Sequence, residues 1–228
     1  MSILLQLVEG GQAVTDSLSN VSDAEGIDIL GLIWKGGVVM IPIGILFVIA
    51  IYLCIERYLT IRKAGNLDSK FMGGIKEMVL DGDIKGSQRL CHDKATPIAH
   101  MIEKGLSRIG KPLEDISVAV ENVGKLEVYK LEKGMPVLAT ISGAAPMLGF
   151  LGTVTGMIRT FNQMKGQQIT ADLLSGGIGE AMMTTVAGLV VGIFAYISYN
   201  LLSAMINKVV YKMEATSVEF LDILHEPA

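Results

Sequence analysis

The chain has 228 residues and a formal net charge of −4 at pH 7; 50% of its residues are hydrophobic and only 18% are charged. A soluble domain of this size usually carries more charge, and a nucleic-acid-binding protein is usually basic, so both classes are disfavoured. The 26 glycines and 13 methionines are instead typical of helices that pack closely in a lipid bilayer.

The cysteines and histidines predict neither a disulfide framework nor a metal site. Cys54 lies in an apolar segment and Cys91 in a predicted polar loop, with no pairing or ligand spacing between them. We interpret both as free thiols. His92, His100 and His225 are scattered through polar segments and are predicted to be ordinary exposed side chains. No cofactor is expected.

Residues 1–33 are predicted to form an N-terminal segment outside the cytoplasm. They open with a short apolar run that has no basic residues before it, whereas a cleaved signal peptide has a basic region and a longer apolar core. An interfacial amphipathic segment and a loosely ordered tail are the two interpretations.

Residues 34–56 are predicted to be the first transmembrane helix. They contain an uncharged run of 20 residues, 36–55, the length that one spanning helix needs. Trp34 and Tyr58 suit the two aromatic belts, and Pro42 predicts a tolerable kink. By the positive-inside rule, the basic residues that follow place the N-terminus outside the cytoplasm: Arg57, Arg62 and Lys63.

Residues 57–133 are predicted to be a cytoplasmic helical domain. Turn signals occur at Gly73-Gly74, at Asp81-Gly82 and at Gly110, and Thr96-Pro97 has the form of a helix start. From residue 113 onward, apolar residues recur at helical spacing. The domain contains no phosphate-binding loop and no catalytic constellation.

Residues 134–160 are predicted to be the second transmembrane helix, and its two sides differ. Small and polar residues share one face: Ser142, Pro146, Gly149, Thr153, Gly156 and Thr160. Bulky residues are predicted to point away from that face: Ile141, Leu148, Leu151 and Ile158. The spacing of Gly152 and Gly156 permits close approach of another backbone. Thr153 has two interpretations, a functional hydroxyl or a structural one bonded to its own helix.

Residues 161–175 are predicted to be a short link outside the cytoplasm, and residues 208–228 a cytoplasmic C-terminal helix and tail. Arg159 and Lys165, in or beside the link, mildly violate the charge rule. Lys208 and Lys212 restore the balance and place the C-terminus inside.

Residues 176–207 are predicted to be the third transmembrane helix. Within residues 173–207 the single charge is Glu180. One sector of the helix collects small and polar residues: Glu180, Ala181, Thr184, Thr185, Gly188, Gly192, Ala195 and Ser198. The opposite sector collects bulky ones: Met182, Met183, Val186, Leu189, Val190, Ile193, Phe194, Ile197 and Leu201. Lipid suits the bulky sector, whereas close packing or a polar lumen suits the small one.

Glu180 has two interpretations. If Tyr196 and Tyr199 mark a water interface, Glu180 lies about 12 Å from the bilayer midplane, just inside the hydrocarbon. It is then either an interfacial carboxylate favoured by the helix dipole or an ion-binding group that faces a bundle interior.

Two motifs resemble the signature of the ExbB/TolQ/MotA proton-channel family, and ExbB and TolQ most closely. Residues 145–156 read APMLGFLGTVTG, and residues 177–188 read GIGEAMMTTVAG. The three predicted spans, the large loop after the first span and the short outer link are similar too. The resemblance covers about residues 30–215.

This resemblance implies an all-α membrane protein with three transmembrane helices and long cytoplasmic helical extensions, which assembles as a homopentamer in the bacterial inner membrane. The implied ion pathway is formed by Thr153, Glu180 and Thr185. The second and third spans line the pore, through the packing residues Ser142, Pro146, Gly149, Gly156, Gly188 and Gly192. Thr184 departs from the family pattern and is a candidate additional ion ligand, which leaves the choice between proton and sodium open.

The implied partners are a dimer of an ExbD/TolR-like single-span subunit inside the pore and a TonB- or TolA-like protein that spans the periplasm. The implied function is ion-driven mechanical work, not catalysis of a covalent reaction. Two alternatives stay open. One is a flagellar-type or gliding-type stator subunit, although the flagellar type normally has a fourth span. The other is a passive membrane scaffold, which would carry no ion flow.

Overall fold

The computed structural model describes residues 37–65, 70–164 and 171–225, which form helices joined by turns and contain no β-strand. The helices are α1 Met40–Ala64, α2 Lys70–Leu80, α3 Ile84–Lys94, α4 Pro97–Leu106, α5 Leu113–Glu132, α6 Met135–Met164 and α7 Ala171–His225. The all-α prediction is therefore confirmed for this part of the chain. The predicted N-terminal segment and Trp34 lie outside the described residues.

Three stretches of the described chain are long and apolar enough to cross a bilayer. They are α1, the α5–α6 stretch and α7, whose most apolar windows have mean hydropathies of 2.0, 1.6 and 1.9. The prediction of three spans is confirmed at this level of length and composition. Helix α7 has 55 residues and a length of about 82 Å, so the predicted C-terminal helix continues the third span without a break.

Several predicted turns and caps are present. Gly82 and Gly110 have φ angles of +75° and +93°, which glycine adopts without steric cost. Thr96 caps α4 by accepting a hydrogen bond from the Ala99 amide, and Pro97 is the first helical residue. These signals correctly located the boundaries of the short helices.

Two expectations about local structure were wrong. Gly73 and Gly74 lie inside α2 and form no turn, because the neighbouring Phe71, Met72 and Ile75 are buried and their packing outweighs the low helix propensity of glycine. Pro42 produces no mid-helix kink. It stands in the first turn of α1, where its missing N–H leaves no hydrogen bond unmade.

The cysteines and histidines are placed as follows. Both cysteines are free thiols, as predicted, but Cys91 lies in helix α3 and is fully buried, so its assignment to a polar loop was wrong. His92 and His225 are exposed. His100 is half-buried, and its Nδ1 lies 3.2 Å from Glu127 Oε1.

The described residues divide into two compact units, which we describe separately. The larger unit comprises residues 42–148 and 188–225. Its core holds fully buried apolar side chains from α4, α5 and the C-terminal part of α7: Ile98, Ile102, Leu106, Val120 and Phe220. Within the same unit Lys212 Nζ donates a hydrogen bond to the Gly65 carbonyl, 3.0 Å away, and so ties α7 to the end of α1.

Gly105 sits where α4 meets Val120 of α5 and Phe220 of α7, and it allows a test of this core. A Cβ on Gly105 would overlap the Phe220 ring and lie 2.9 Å from Val120 Cγ2. We expect Gly105→Ala to lower the free energy of unfolding by about 1–3 kcal/mol, because overpacking displaces rigid neighbours. The measurement is an unfolding titration of the purified protein in mixed micelles.

Gly73→Ala is the matched control, because nothing lies within 4 Å of a Cβ at that helical position. It should be neutral or raise the free energy of unfolding by about 0.5–1 kcal/mol through helix propensity. Equal effects of the two substitutions would contradict the packing described for Gly105.

Cys91 provides a second test of the same unit. Burial raises the pKa of its thiol to about 12, with a further contribution from the nearby Glu103 carboxylate. In a Cys54→Ser background, we expect iodoacetamide at pH 8 to leave Cys91 unmodified until denaturant is added. Since the folded-state pKa is raised, the thiol's contribution to stability is complete below about pH 9 and falls as the pH approaches 12. If iodoacetamide modified Cys91 rapidly without denaturant, α3 would have to open readily, which would contradict the described burial.

Candidate functional site

The smaller unit contains residues 37–41 and 149–187, and its central feature is close packing between α6 and α7. A Cβ on Gly152 would overlap Thr184 Oγ1, and a Cβ on Gly156 would lie 2.8 Å from Ala181 Cβ. At Gly177 it would overlap Thr160 Oγ1. Glycine is therefore required at these three positions for the two helices to approach so closely.

Three threonine hydroxyls form a cluster between the two helices. Thr184 Oγ1 lies 3.1 Å from the Gly149 carbonyl of α6 and 2.7 Å from the Ala181 carbonyl of its own helix. Thr185 Oγ1 lies 3.2 Å from the Gly149 carbonyl and is also hydrogen-bonded to Thr153 Oγ1. Every buried side-chain polar atom of the described residues has a hydrogen-bond partner.

Thr153 forms the own-helix hydrogen bond of its structural interpretation and a further hydrogen bond to α7. Its hydroxyl lies 3.4 Å from the Gly149 carbonyl, one turn earlier on α6, and 3.0 Å from the Ala181 carbonyl on α7. A hydroxyl bonded only to its own helix would stabilise that helix alone. This one also links the two helices.

Glu180 lies four residues, about one helical turn, before Thr184 of this cluster and is exposed in the single chain. A Cβ on Gly37 would lie 3.3 Å from Glu180 Oε1 and 3.8 Å from Arg159 Nη1, so the carboxylate and the guanidinium both flank Gly37. Gly37 has a φ angle of +67°, which disfavours any side chain there. A small cavity of about 40 Å³ opens beside these groups and is also lined by Thr155 and Thr184. That volume is sufficient to hold water.

The predicted sidedness of α7 is present in both units. In the smaller unit Ala181 and Thr184 are buried, whereas Met182 and Val186 are exposed. In the larger unit the small residues Gly188, Gly192, Ala195 and Ser198 are buried, and Gly192 packs against the Pro146 ring. Most of the small sector of α7 is thus buried, whereas Thr185 is half-buried and Glu180 is exposed.

The sidedness of α6 is present with two exceptions. Gly149 and Thr160 are buried on the small face, and Ser142, Pro146, Thr153 and Gly156 are half-buried there. Leu151 and Ile158 are exposed, as predicted. Ile141 and Leu148 were predicted to point away, but Ile141 is only 2% exposed and Leu148 is half-buried, so other parts of the larger unit cover them.

The structure therefore brings together Thr153, Thr184 and Thr185, and it places Glu180 at a cavity that it shares with Thr184. Thr153 and Thr185 do not line that cavity. Arg159 and Gly37 were not selected from the sequence. The sequence did contain a signal for Arg159, because the positive-inside rule disfavours a basic residue beside the predicted outer link.

Comparison with known proteins shows several similarities. Residues 93–215 match the model of the MotA/TolQ/ExbB proton channel family. The chain is 31% identical over 175 residues to biopolymer transport protein ExbB-like 1 of Synechocystis, which covers 75% of this chain and 69% of that protein.

Two further similarities cover less of each protein. The chain is 36% identical over 103 residues to Tol-Pal system protein TolQ of Haemophilus influenzae, 45% of each chain. It is 36% identical over 90 residues to biopolymer transport protein exbB1 of Vibrio cholerae, 39% of this chain and 40% of that protein.

The packing at Gly152 gives a test of the site geometry. We expect Gly152→Ala to lower the free energy of unfolding by about 1–3 kcal/mol. The new Cβ would overlap Thr184, so α6 and α7 would have to move apart. Unfolding titration in mixed micelles measures this loss. Gly143→Ala on the same helix is the control, because its Cβ would meet nothing within 4 Å. A larger loss at Gly143 than at Gly152 would contradict the described contact.

Proposed function

The chain belongs to the MotA/TolQ/ExbB proton channel family, and from that premise we propose that it is a subunit of an ion-driven motor in the bacterial inner membrane. The motor converts the proton motive force into mechanical work on a TonB- or TolA-like protein. It does so together with an ExbD/TolR-like single-span subunit, and no covalent reaction is catalysed.

The position of Glu180 is the observation that carries the proposal. It is the single charged side chain within residues 173–207 of α7, beside a small cavity and the threonine cluster. At membrane depth such a group faces a bundle interior or a water-filled cavity, because lipid does not solvate charge. Since Glu180 is exposed in the single chain, further subunits would enclose it.

The proposed assembly is a homopentamer whose second and third spans surround a dimer of the single-span partner. In this arrangement residues 34–56, 134–160 and 176–207 cross the membrane and residues 57–133 and 208–228 are cytoplasmic. Residues 1–33 and 161–175 are periplasmic. The clusters of basic residues after the first and third spans support this orientation through the positive-inside rule.

The proposed mechanism uses Glu180 as a carboxylate that alternates between charged and neutral forms. Thr153, Thr184 and Thr185 supply hydroxyls along the ion pathway. One charge that crosses a potential of about 150 mV releases roughly 3.5 kcal/mol. A dimer inside a pentamer cannot match all five sites at once, so each neutralisation would favour one rotational step between nearly equivalent states.

Two alternatives make different predictions. A flagellar-type or gliding-type stator would act on a rotor or a surface track through a charged cytoplasmic face. A passive scaffold would keep its partners assembled without ion flow. The similarity to proteins named ExbB and TolQ favours the first proposal over both.

Replacing Glu180 tests the motor against the scaffold. We expect Glu180→Gln to reduce ion-driven work by at least a hundredfold while assembly with the single-span partner is retained, because the amide keeps the shape but cannot carry or release a proton. Proton flux into liposomes that contain the co-purified complex measures conduction, and size-exclusion chromatography with light scattering measures assembly.

Glu219→Gln is the matched control, since Glu219 is an exposed carboxylate on the C-terminal part of α7. It should conduct as the unsubstituted complex does. If Glu180→Gln retained full ion-driven work, Glu180 would be an interfacial carboxylate and the motor proposal would fail.

A further inference from the structure

A second cavity with charged residues in its lining lies in the larger unit, far along the sequence from Glu180. It has a volume of about 450 Å³ and is bounded by the end of α1, the turn between α3 and α4, and the end of α5. Its polar lining comes from Thr60, Lys63, Lys94, Thr96, Glu127 and Lys130. We call this cavity the basic groove.

The charges of the basic groove favour an anion. Three lysines line it and only one carboxylate does. That carboxylate is already engaged, because Glu127 Oε1 lies 2.6 Å from Lys130 Nζ and 3.2 Å from His100 Nδ1. Lys63 and Lys94 form no ion pair within the described residues. Two cationic side chains are thus left for a ligand that carries negative charge.

The backbone of the groove adds to this preference. Thr96 and Pro97, at the start of helix α4, line the basic groove. The positive end of the α4 dipole therefore lies at the wall of the groove. Ala95 precedes them with a φ of +43° and is the one non-glycine residue in the described chain with a positive φ. This left-handed turn costs of order 1 kcal/mol and joins α3 directly to α4.

The groove lies at the depth of lipid headgroups relative to the first span. The uncharged run of that span ends at residue 55, and Thr60 follows five residues later, about 8 Å further along the helix. The headgroup layer extends roughly 5–8 Å beyond the hydrocarbon. Lys63 is about one turn further, and its long side chain can place the ammonium back at the same level.

We propose that the basic groove binds the phosphate group of an anionic membrane lipid. Lys63 and Lys94 contribute the charge, and Lys130 and the start of α4 complete the wall. The shared chemistry is a phosphate anion, and the depth of the groove favours a lipid headgroup over a soluble phosphate compound. This site is separate from the Glu180 site and does not depend on the proposed motor function.

The experiment measures the thermal unfolding midpoint of the full-length protein in detergent with added lipid. The probes are dioleoylphosphatidylglycerol, dioleoylphosphatidylcholine and inorganic phosphate. We expect phosphatidylglycerol to raise the midpoint more than phosphatidylcholine does. In the double variant Lys63→Gln/Lys94→Gln, at least ten times more phosphatidylglycerol should be needed for the same rise.

The control is the double variant Lys104→Gln/Lys111→Gln, which removes the same charge from exposed positions outside the groove. It should respond to phosphatidylglycerol as the unsubstituted protein does. The single variants Lys63→Gln and Lys94→Gln keep the test decisive if the double variant is less stable, since each should show part of the loss.

The outcomes separate the two sources of phosphate. A rise with phosphatidylglycerol alone, lost in the groove variants, supports a lipid site. An equal rise with millimolar inorganic phosphate, lost in the same variants, supports a soluble phosphate ligand at the same groove. The proposal is overturned if groove and control variants respond alike, or if phosphatidylcholine is as effective as phosphatidylglycerol.

Discussion

The arrangement of the smaller unit depends on how closely α6 and α7 approach each other. At Gly152 and Gly156 there is no space for a Cβ, so the Thr184 and Ala181 side chains of α7 lie directly against the α6 backbone. That proximity brings the hydroxyls of α7 within hydrogen-bond distance of the Gly149 carbonyl. In lipid the hydrophobic effect does not drive helices together, so such packing and hydrogen bonding stabilise the helix pair.

The charged groups of this unit lie at one end of that packed region. Glu180 and Arg159 come from different helices and both flank Gly37, whose positive φ angle disfavours any other residue there. The larger unit places its own charges differently, with Glu127 held by Lys130 and His100 and two further lysines left around a cavity. Glu180 thus lies within the apolar part of α7, whereas Lys63 and Lys94 lie around a cavity at the end of α1.

Much of this organisation follows from sequence pattern. The periodicity of small and bulky residues predicted which sides of α6 and α7 are buried, since that pattern repeats over many turns. Isolated signals were less reliable. Gly73-Gly74 indicates a turn only when its neighbours do not pack, and Cys91 was assigned to a loop because its flanking residues are polar while its own side chain is buried. The placement of Arg159 and Glu180 around one cavity depends on the register between two helices and on Gly37, which no local pattern encodes.

The hydroxyl hydrogens of the threonine cluster have more than one possible placement. Each of the three hydroxyls has a single hydrogen, yet each lies within reach of at least two acceptors: the Gly149 and Ala181 carbonyls and, for Thr153 and Thr185, the hydroxyl of the other. The three hydrogens can therefore be arranged in more than one way, with every hydroxyl still donating one hydrogen bond. Moving between these orderings needs only rotation about C–O bonds, while every carbon and oxygen stays in place. The cluster thus combines fixed carbon and oxygen positions with a dipole that can reorient, one helical turn from the Glu180 carboxylate.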